Sequence, residues 1–174
     1  MAATFEYNED NGAQTGSPLK GTTRTTAVTQ VNWKNIDDVA SAYSSYPVSA
    51  GNNSYPKYQF GKLTGTFNQI SAGLWAHTAG ALQTGISLYG AVTSTYATPS
   101  TSATAGLSDI SSITAIGSGS AVNFSTTGPE AASPTSSITA AGYTQYLVTQ
   151  IRTTGSAPAG DNGNVTLTLR YNEN

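Results

Sequence analysis

His77 is the single histidine of the chain, and Glu9-Asp10 and Asp37-Asp38 are adjacent carboxylate pairs; these residue types could serve as general bases, acid/base couples or Ca²⁺ ligands. A Ser-His-Asp site also needs a nucleophile on a strained turn and an orienting acid, and no Gly-x-Ser-x-Gly elbow occurs. His77, following Leu74-Trp75-Ala76, therefore reads as a packed structural residue. Asp37-Asp38 follows Trp33-Lys34-Asn35-Ile36 and reads as a cap on a helix or turn, and Glu9-Asp10 as capping or solvated. Asp10-Asn11-Gly12 and Asp161-Asn162-Gly163 imitate the start of a calcium loop, but neither reaches the downstream Glu that an EF-hand requires, so both read as turns.

Zero Cys removes a disulfide framework, a thiolate zinc site and a Cys nucleophile. Trp33, Trp75 and the cluster Tyr43, Tyr46, Tyr55 and Tyr58 could stack on sugar rings, with Asn or Asp fixing the hydroxyls. Core and interface packing is the plainer assignment for them. No phosphate loop, heptad repeat or basic amphipathic helix is present. No catalytic, cofactor or metal set emerges, and the chain is expected not to be an enzyme.

The elements that would position these residues read as strands. Asn164 to Tyr171 alternates, with Val165, Leu167, Leu169 and Tyr171 on one face and Thr166, Thr168 and Arg170 on the other. Tyr143 to Arg152 places Tyr143, Leu147 and Ile151 on one face but Tyr146 and Val148 on the opposite one, so both faces have something to bury. The Gly, Pro and Asn-Gly chemistry of 155–163 predicts an antiparallel pair between these two segments. Ile86 to Tyr96 and Tyr58 to Phe67 are further strands, with weaker ones at Thr25 to Trp33, Ile113 to Phe124 and Thr4 to Asn8. A short helix fits Asn35 to Tyr43. The sum is an all-β protein, an antiparallel β-sandwich with jelly-roll or Ig-like Greek-key connections. Residues 1–174 form one domain, with long Ser/Thr/Gly-rich loops or arms at about 96–112 and 128–141. The ends echo each other in Phe5-Glu6-Tyr7-Asn8-Glu9 and Leu169-Arg170-Tyr171-Asn172-Glu173, which implies that neither is a flexible tail.

Only 9% of the 174 residues are charged, where a soluble domain has about a quarter, so much of the surface is expected to be covered by other subunits. The seven basic residues are scattered and the net charge is −2, which argues against nucleic acid. No apolar run approaches the roughly 18 residues of a membrane span, and the N-terminus lacks a secretory signal pattern, so synthesis in the cytosol without membrane insertion is expected.

Trp33-Lys34-Asn35-Ile36-Asp37-Asp38, Tyr43-Ser44-Ser45-Tyr46-Pro47, Tyr58 to Ile70, Leu74 to Thr78 and the closing Leu167 to Asn174 together resemble virion structural proteins of tailed bacteriophages. Within that group the size and β-rich pattern are similar to head decoration or cement proteins. The resemblance implies a non-enzymatic protein on the capsid surface, assembled in the host cytoplasm, that bridges and stabilises major capsid subunits. A phage tail or adaptor component, or a carbohydrate-binding receptor module, is the alternative. The resemblance carries packing and turn residues and no catalytic signature. Self-association as a homo-oligomer, with a trimer the guess, follows from the threefold positions of a shell and from strand edges guarded by little but Arg170. Trp33, Trp75, Tyr146, Arg170 and Tyr171 are the candidate interface or packing anchors.

Overall fold

The computed structural model describes residues 2–77, 82–112, 115–116, 122–160 and 165–174. It is all-β, with twelve strands, one 3-10 turn at Tyr43–Ser45 and no α-helix among the described residues.

The larger sheet has eight strands: β1 (Thr4–Thr15), β2 (Lys20–Thr25), β3 (Lys57–Thr64), β5 (Ile86–Thr93), β6 (Ser108–Asp109), β8 (Phe124–Ser125), β10 (Gly142–Thr144) and β11 (Tyr146–Thr153). Its main order is β2-β1-β3-β11-β5-β6, with β10 beside β3 and β8 beside β10. The smaller sheet has β4 (Ile70–His77), β7 (Ala115–Ile116), β9 (Ser137–Ile138) and β12 (Leu167–Glu173), with β4 paired to the other three. Every pairing is antiparallel.

The sheets pack face to face because each has one apolar side to remove from water. Trp75 from β4 meets Leu88 from β5 and Leu147 and Ile151 from β11, with Leu167 and Leu169 of β12 closing over them. Tyr7 and Phe5 of β1 meet the Trp75 ring edge-on at 5.5 and 6.3 Å between centroids. At one end of the sandwich Leu63, Ile70, Phe124 and Ile138 form a second cluster, against which Tyr171 packs. The expected alternation of 165–171 is present: Val165, Leu167, Leu169 and Tyr171 are half-buried while Thr166, Thr168 and Arg170 face outward.

β11 is buried on both faces, as its sequence predicts, from Tyr146 through Ile151. The second layer is the chain's own. Tyr96, beyond the end of β5, lies fully buried against Tyr58, Phe60, Tyr146 and Val148. The Gln150 amide donates to Ser102 O at 2.9 Å and the Arg152 guanidinium to Thr104 O at 2.8 Å, holding the 96–107 stretch over the strand.

Four expectations are corrected. The 143–152 and 164–171 segments do not pair: β11 lies between β3 and β5, and β12 pairs with β4 in the other sheet. β11 buries both faces and so belongs in the middle of a covered sheet; β12 buries one and sits at an edge. Their connection includes Asp161-Asn162-Gly163, which lies outside the described residues. The strand expected over 25–33 ends at Thr25, because Ala27 takes φ 54° and Val28 N–H donates to Tyr7 O, turning the chain across the sheet. The helix expected at 35–43 is a turn closed by Asp38, which accepts from Ser41 N–H at 3.2 Å and Ser41 Oγ at 2.5 Å. The segment Ile113 to Phe124 is not one strand of one sheet: β7 pairs with β4 in the smaller sheet and β8 with β10 in the larger, while 113–114 and 117–121 lie outside the described residues.

β4, which the sequence left unassigned, is the centre of the smaller sheet. Its Gly73 is needed because a Cβ there would stand 2.6 Å from the buried Phe124 ring and 3.1 Å from Val122 O. Gly73→Ala is therefore expected to destabilise the fold by about 1–3 kcal/mol through overpacking. Urea unfolding checks this, and an unchanged midpoint would show that Phe124 yields freely.

Candidate functional site

The residues most able to do chemistry come together where β1 crosses β3. Asn8, Glu9, Asp10 and Asn11 are all buried in β1, and Lys57 and Gln59 are buried opposite them in β3. β1 and β3 run in register from Thr4↔Thr64 to Asp10↔Tyr58. Side chains alternate across the sheet. Glu9, Asn11, Lys57 and Gln59 therefore share the inner face, while Asp10 and Tyr58 share the outer one.

On the inner face Lys57 Nζ donates to Glu9 Oε1 at 3.0 Å and to Asp38 O at 2.8 Å. Gln59 Nε2 donates to Glu9 Oε2 at 2.9 Å, and Tyr7 Oη donates to Gln59 Oε1 at 3.2 Å. Asn11 Nδ2 donates to both Glu9 Oε1 and Asp37 Oδ1 at 2.9 Å, and Gly12 N–H donates to Asp37 Oδ2 at 2.6 Å. The 26–56 segment brings the covering groups. Lys34 is fully buried there, with Nζ 2.5 Å from Asp38 Oδ1 and 2.6 Å from Ser41 O. Burial acts to raise the Asp38 carboxyl, but hydrogen bonds from Lys34 and Ser41 outweigh it and hold the group below the ordinary aspartate range.

On the outer face the Arg24 guanidinium, one strand over in β2, grips both Asp10 oxygens at 2.7 and 2.8 Å. Tyr146 Oη donates to Asp10 Oδ2 at 2.5 Å, and Arg24 reaches on to Glu130 at 3.2 Å. Glu9-Asp10 is thus neither a cap nor a solvated pair, and Asp10-Asn11-Gly12 is not a turn between elements: all three residues lie within β1, with Gly12 at the irregularity in its pairing with β2. A carboxylate excluded from water needs a charged or multiply donating partner, and each of these has one.

Burial raises the phenol pKa of Tyr7, Tyr96 and Tyr146 well above the ordinary value of 10.0, helped at Tyr7 by Glu9, at Tyr96 by Asp37 and at Tyr146 by its bond to Asp10. Raised folded-state values mean that their stabilising contribution is complete below pH 10 and declines above it, as the unfolded chain gains by ionising. An alkaline absorbance titration should show these three tyrosines ionising only with loss of the near-ultraviolet circular dichroism. Smooth titration of all ten while that signal persists would contradict the buried cluster.

The other sequence candidates are dispersed. Trp75 is fully buried between the sheets, and Trp33 is half-buried with its Nε1 donating to Thr149 Oγ1 at 3.1 Å. Tyr146 is buried on the outer face, Tyr171 half-buried at one end, and Arg170 exposed on β12. The cluster Tyr43, Tyr46, Tyr55 and Tyr58 is split: Tyr43 and Tyr46 are exposed, Tyr55 half-buried and Tyr58 buried. His77 is buried with Nε2 2.6 Å from Ile110 O, and among the described residues no Ser or Asp is bonded to it. Among the described residues no group of three or more His, Asp or Glu is placed to hold a metal ion.

A cleft of about 770 Å³ is lined by hydroxyls such as those of Ser125, Thr127 and Thr135 together with the apolar Pro18, Phe124 and Ile138, and no charged residue lines it. Sequence reasoning missed Lys57, Gln59 and Asn11 as partners of Glu9. The available signal was the polar run Asn8 to Asn11 inside a segment flanked by strand-forming residues. Comparison with protein-family models, with curated proteins and with solved structures finds no match to this chain.

Proposed function

We propose that the protein is a non-enzymatic virion structural protein that decorates a phage capsid and stabilises it by bridging major capsid subunits. The observation that carries this reading is the placement of charge. The chain has few charged residues, and Glu9, Asp10, Lys34 and Lys57 are withdrawn into the interior, so the outside is built chiefly of hydroxyl, amide and small side chains. Such a surface has little to keep copies apart in solution and little to desolvate when covered by another subunit.

Edge strands support the same reading. β12 is a seven-residue edge, and among the described residues its free side pairs with no strand. It carries no Pro or Lys, the usual guards against edge-to-edge pairing. Phe5, Leu19, Tyr43 and Tyr46 add exposed apolar anchors of the kind that fill pockets on a partner. Homo-oligomerisation, with a trimer at threefold positions of the shell, belongs to this proposal.

The carbohydrate-binding alternative retains Tyr43 and Tyr46 as its exposed rings, since Trp75 is fully buried and Trp33 is half-buried with its Nε1 bonded to Thr149. Co-sedimentation separates the readings. Purified protein is mixed with expanded phage heads lacking decoration proteins, with isolated tails, or with cell-surface polysaccharide. Saturable binding to heads that withstands high salt is expected. Binding to tails or polysaccharide alone would replace the decoration role with the corresponding alternative.

A further inference from the structure

We propose that Lys57 and Asn11 are joined by an intramolecular isopeptide bond, formed by the chain itself with Glu9 as the proton-transferring group. Asn11 sits one register step beyond the Asp10↔Tyr58 pair, which places it beside Lys57 across β1 and β3. The amine of Lys57 and the side-chain amide nitrogen of Asn11 are held by one atom, Glu9 Oε1, at 3.0 and 2.9 Å. Nucleophile, leaving group and a base able to serve both thus converge on a single carboxylate oxygen.

The surroundings favour this reaction over a simple ion pair. Lys57 and Glu9 are each 1% exposed and Asn11 4%, so water is kept from the reacting atoms. The Asp38 carbonyl takes a second Lys57 proton, which fixes the amine without occupying its remaining direction. Asp37 accepts the second proton of Asn11 Nδ2, and two carboxylates on that atom require it to be the nitrogen of the amide. The leaving group is therefore oriented before any bond is made.

In the step itself the Lys57 ammonium passes a proton to Glu9, and the freed amine attacks Cγ of Asn11. Glu9 delivers that proton to Nδ2, the Cγ–Nδ2 bond breaks, and ammonia departs. The new Nζ–Cγ amide sheds its extra proton through Glu9 to the ammonia, so lysine ammonium and carboxamide become an amide and an ammonium ion. Glu9 is regenerated, and no oxidant or other reactant is consumed.

Intact mass spectrometry of the denatured full-length chain tests this. The expected mass is that of the sequence less one ammonia, with trypsin failing to cut after Lys57 and a branched peptide joining the Asn11 and Lys57 segments. Lys57→Arg and Glu9→Gln should each restore the full mass. Asn11-Gly12 can also lose ammonia by closing to a succinimide, and that loss would persist in Lys57→Arg with no branched peptide. Wild-type protein at its full sequence mass, or a persistent loss of that kind, overturns the proposal. If the variants do not fold, the presence or absence of the branched peptide in the wild type decides.

Discussion

Asp10→Ala is expected to lower the unfolding free energy by about 3–5 kcal/mol, the range for breaking a buried ion pair from one side. Asp10 is 1% exposed and receives three hydrogen bonds, two from Arg24 and one from Tyr146. Arg24 is about a third exposed and can turn to water, but the Tyr146 hydroxyl is fully buried and would be stranded. Tyr146→Phe, which removes one hydrogen bond to a charged group and leaves the ring in place, should cost about 1.5–3 kcal/mol. Urea unfolding of the two single variants and the double variant measures the coupling. If Asp10→Ala falls within about 0.5 kcal/mol of wild type, in the range of an ordinary surface substitution, the outer-face cluster does not hold β1.

Trp75→Ala should cost a similar amount, about 3–5 kcal/mol, for a different reason. Trp75 is completely buried, fills the space between the sheets and receives the edges of Tyr7 and Phe5. Removing the indole leaves a cavity between two sheets that the backbone hydrogen bonds of each prevent from collapsing. Trp75→Phe should be much milder, since the indole Nε1 is buried without a hydrogen-bond partner among the described residues and its loss forfeits no bond. Thermal unfolding of both variants checks the contrast. Equal destabilisation by Ala and Phe would mean that the indole shape, rather than filled volume, is what the core requires.

The buried charges serve the fold chiefly through specificity. Desolvation largely offsets the attraction of a pair such as Glu9–Lys57, so the pair adds little net stability compared with apolar residues. A one-residue slip of β1 would move Glu9 to the outer face and Asp10 to the inner one, stranding both. The polar run Asn8 to Asn11 thus fixes the register of a strand whose apolar pattern alone would specify it weakly.

What could be read in the sequence follows from this. β12 was legible because its single buried face produces strict alternation of Val165, Leu167, Leu169 and Tyr171. β11 was legible as doubly buried because Tyr146 and Val148 oppose Leu147 and Ile151. The extent of β1 was hidden, since burial there is achieved by ion pairing and hydrogen bonding, which leave a sequence pattern identical to that of a solvated turn. β4 was hidden because Ser71, Ala72 and Gly73 break its apolar pattern, Gly73 being there to make room for Phe124. The hairpin expected between β11 and β12 failed because turn chemistry permits a connection but does not choose partners. The site was least legible of all: Lys57 lies 48 residues from Glu9, and only the β1–β3 register brings them together.

The most direct test of the proposed capsid role is cryo-electron microscopy of expanded phage heads to which the purified protein has been added. The account predicts density for the β-sandwich at regular sites between major capsid subunits, with the hydroxyl-rich faces and the β12 edge in contact. Density confined to tails or vertices, or bare heads at saturating protein, would contradict it.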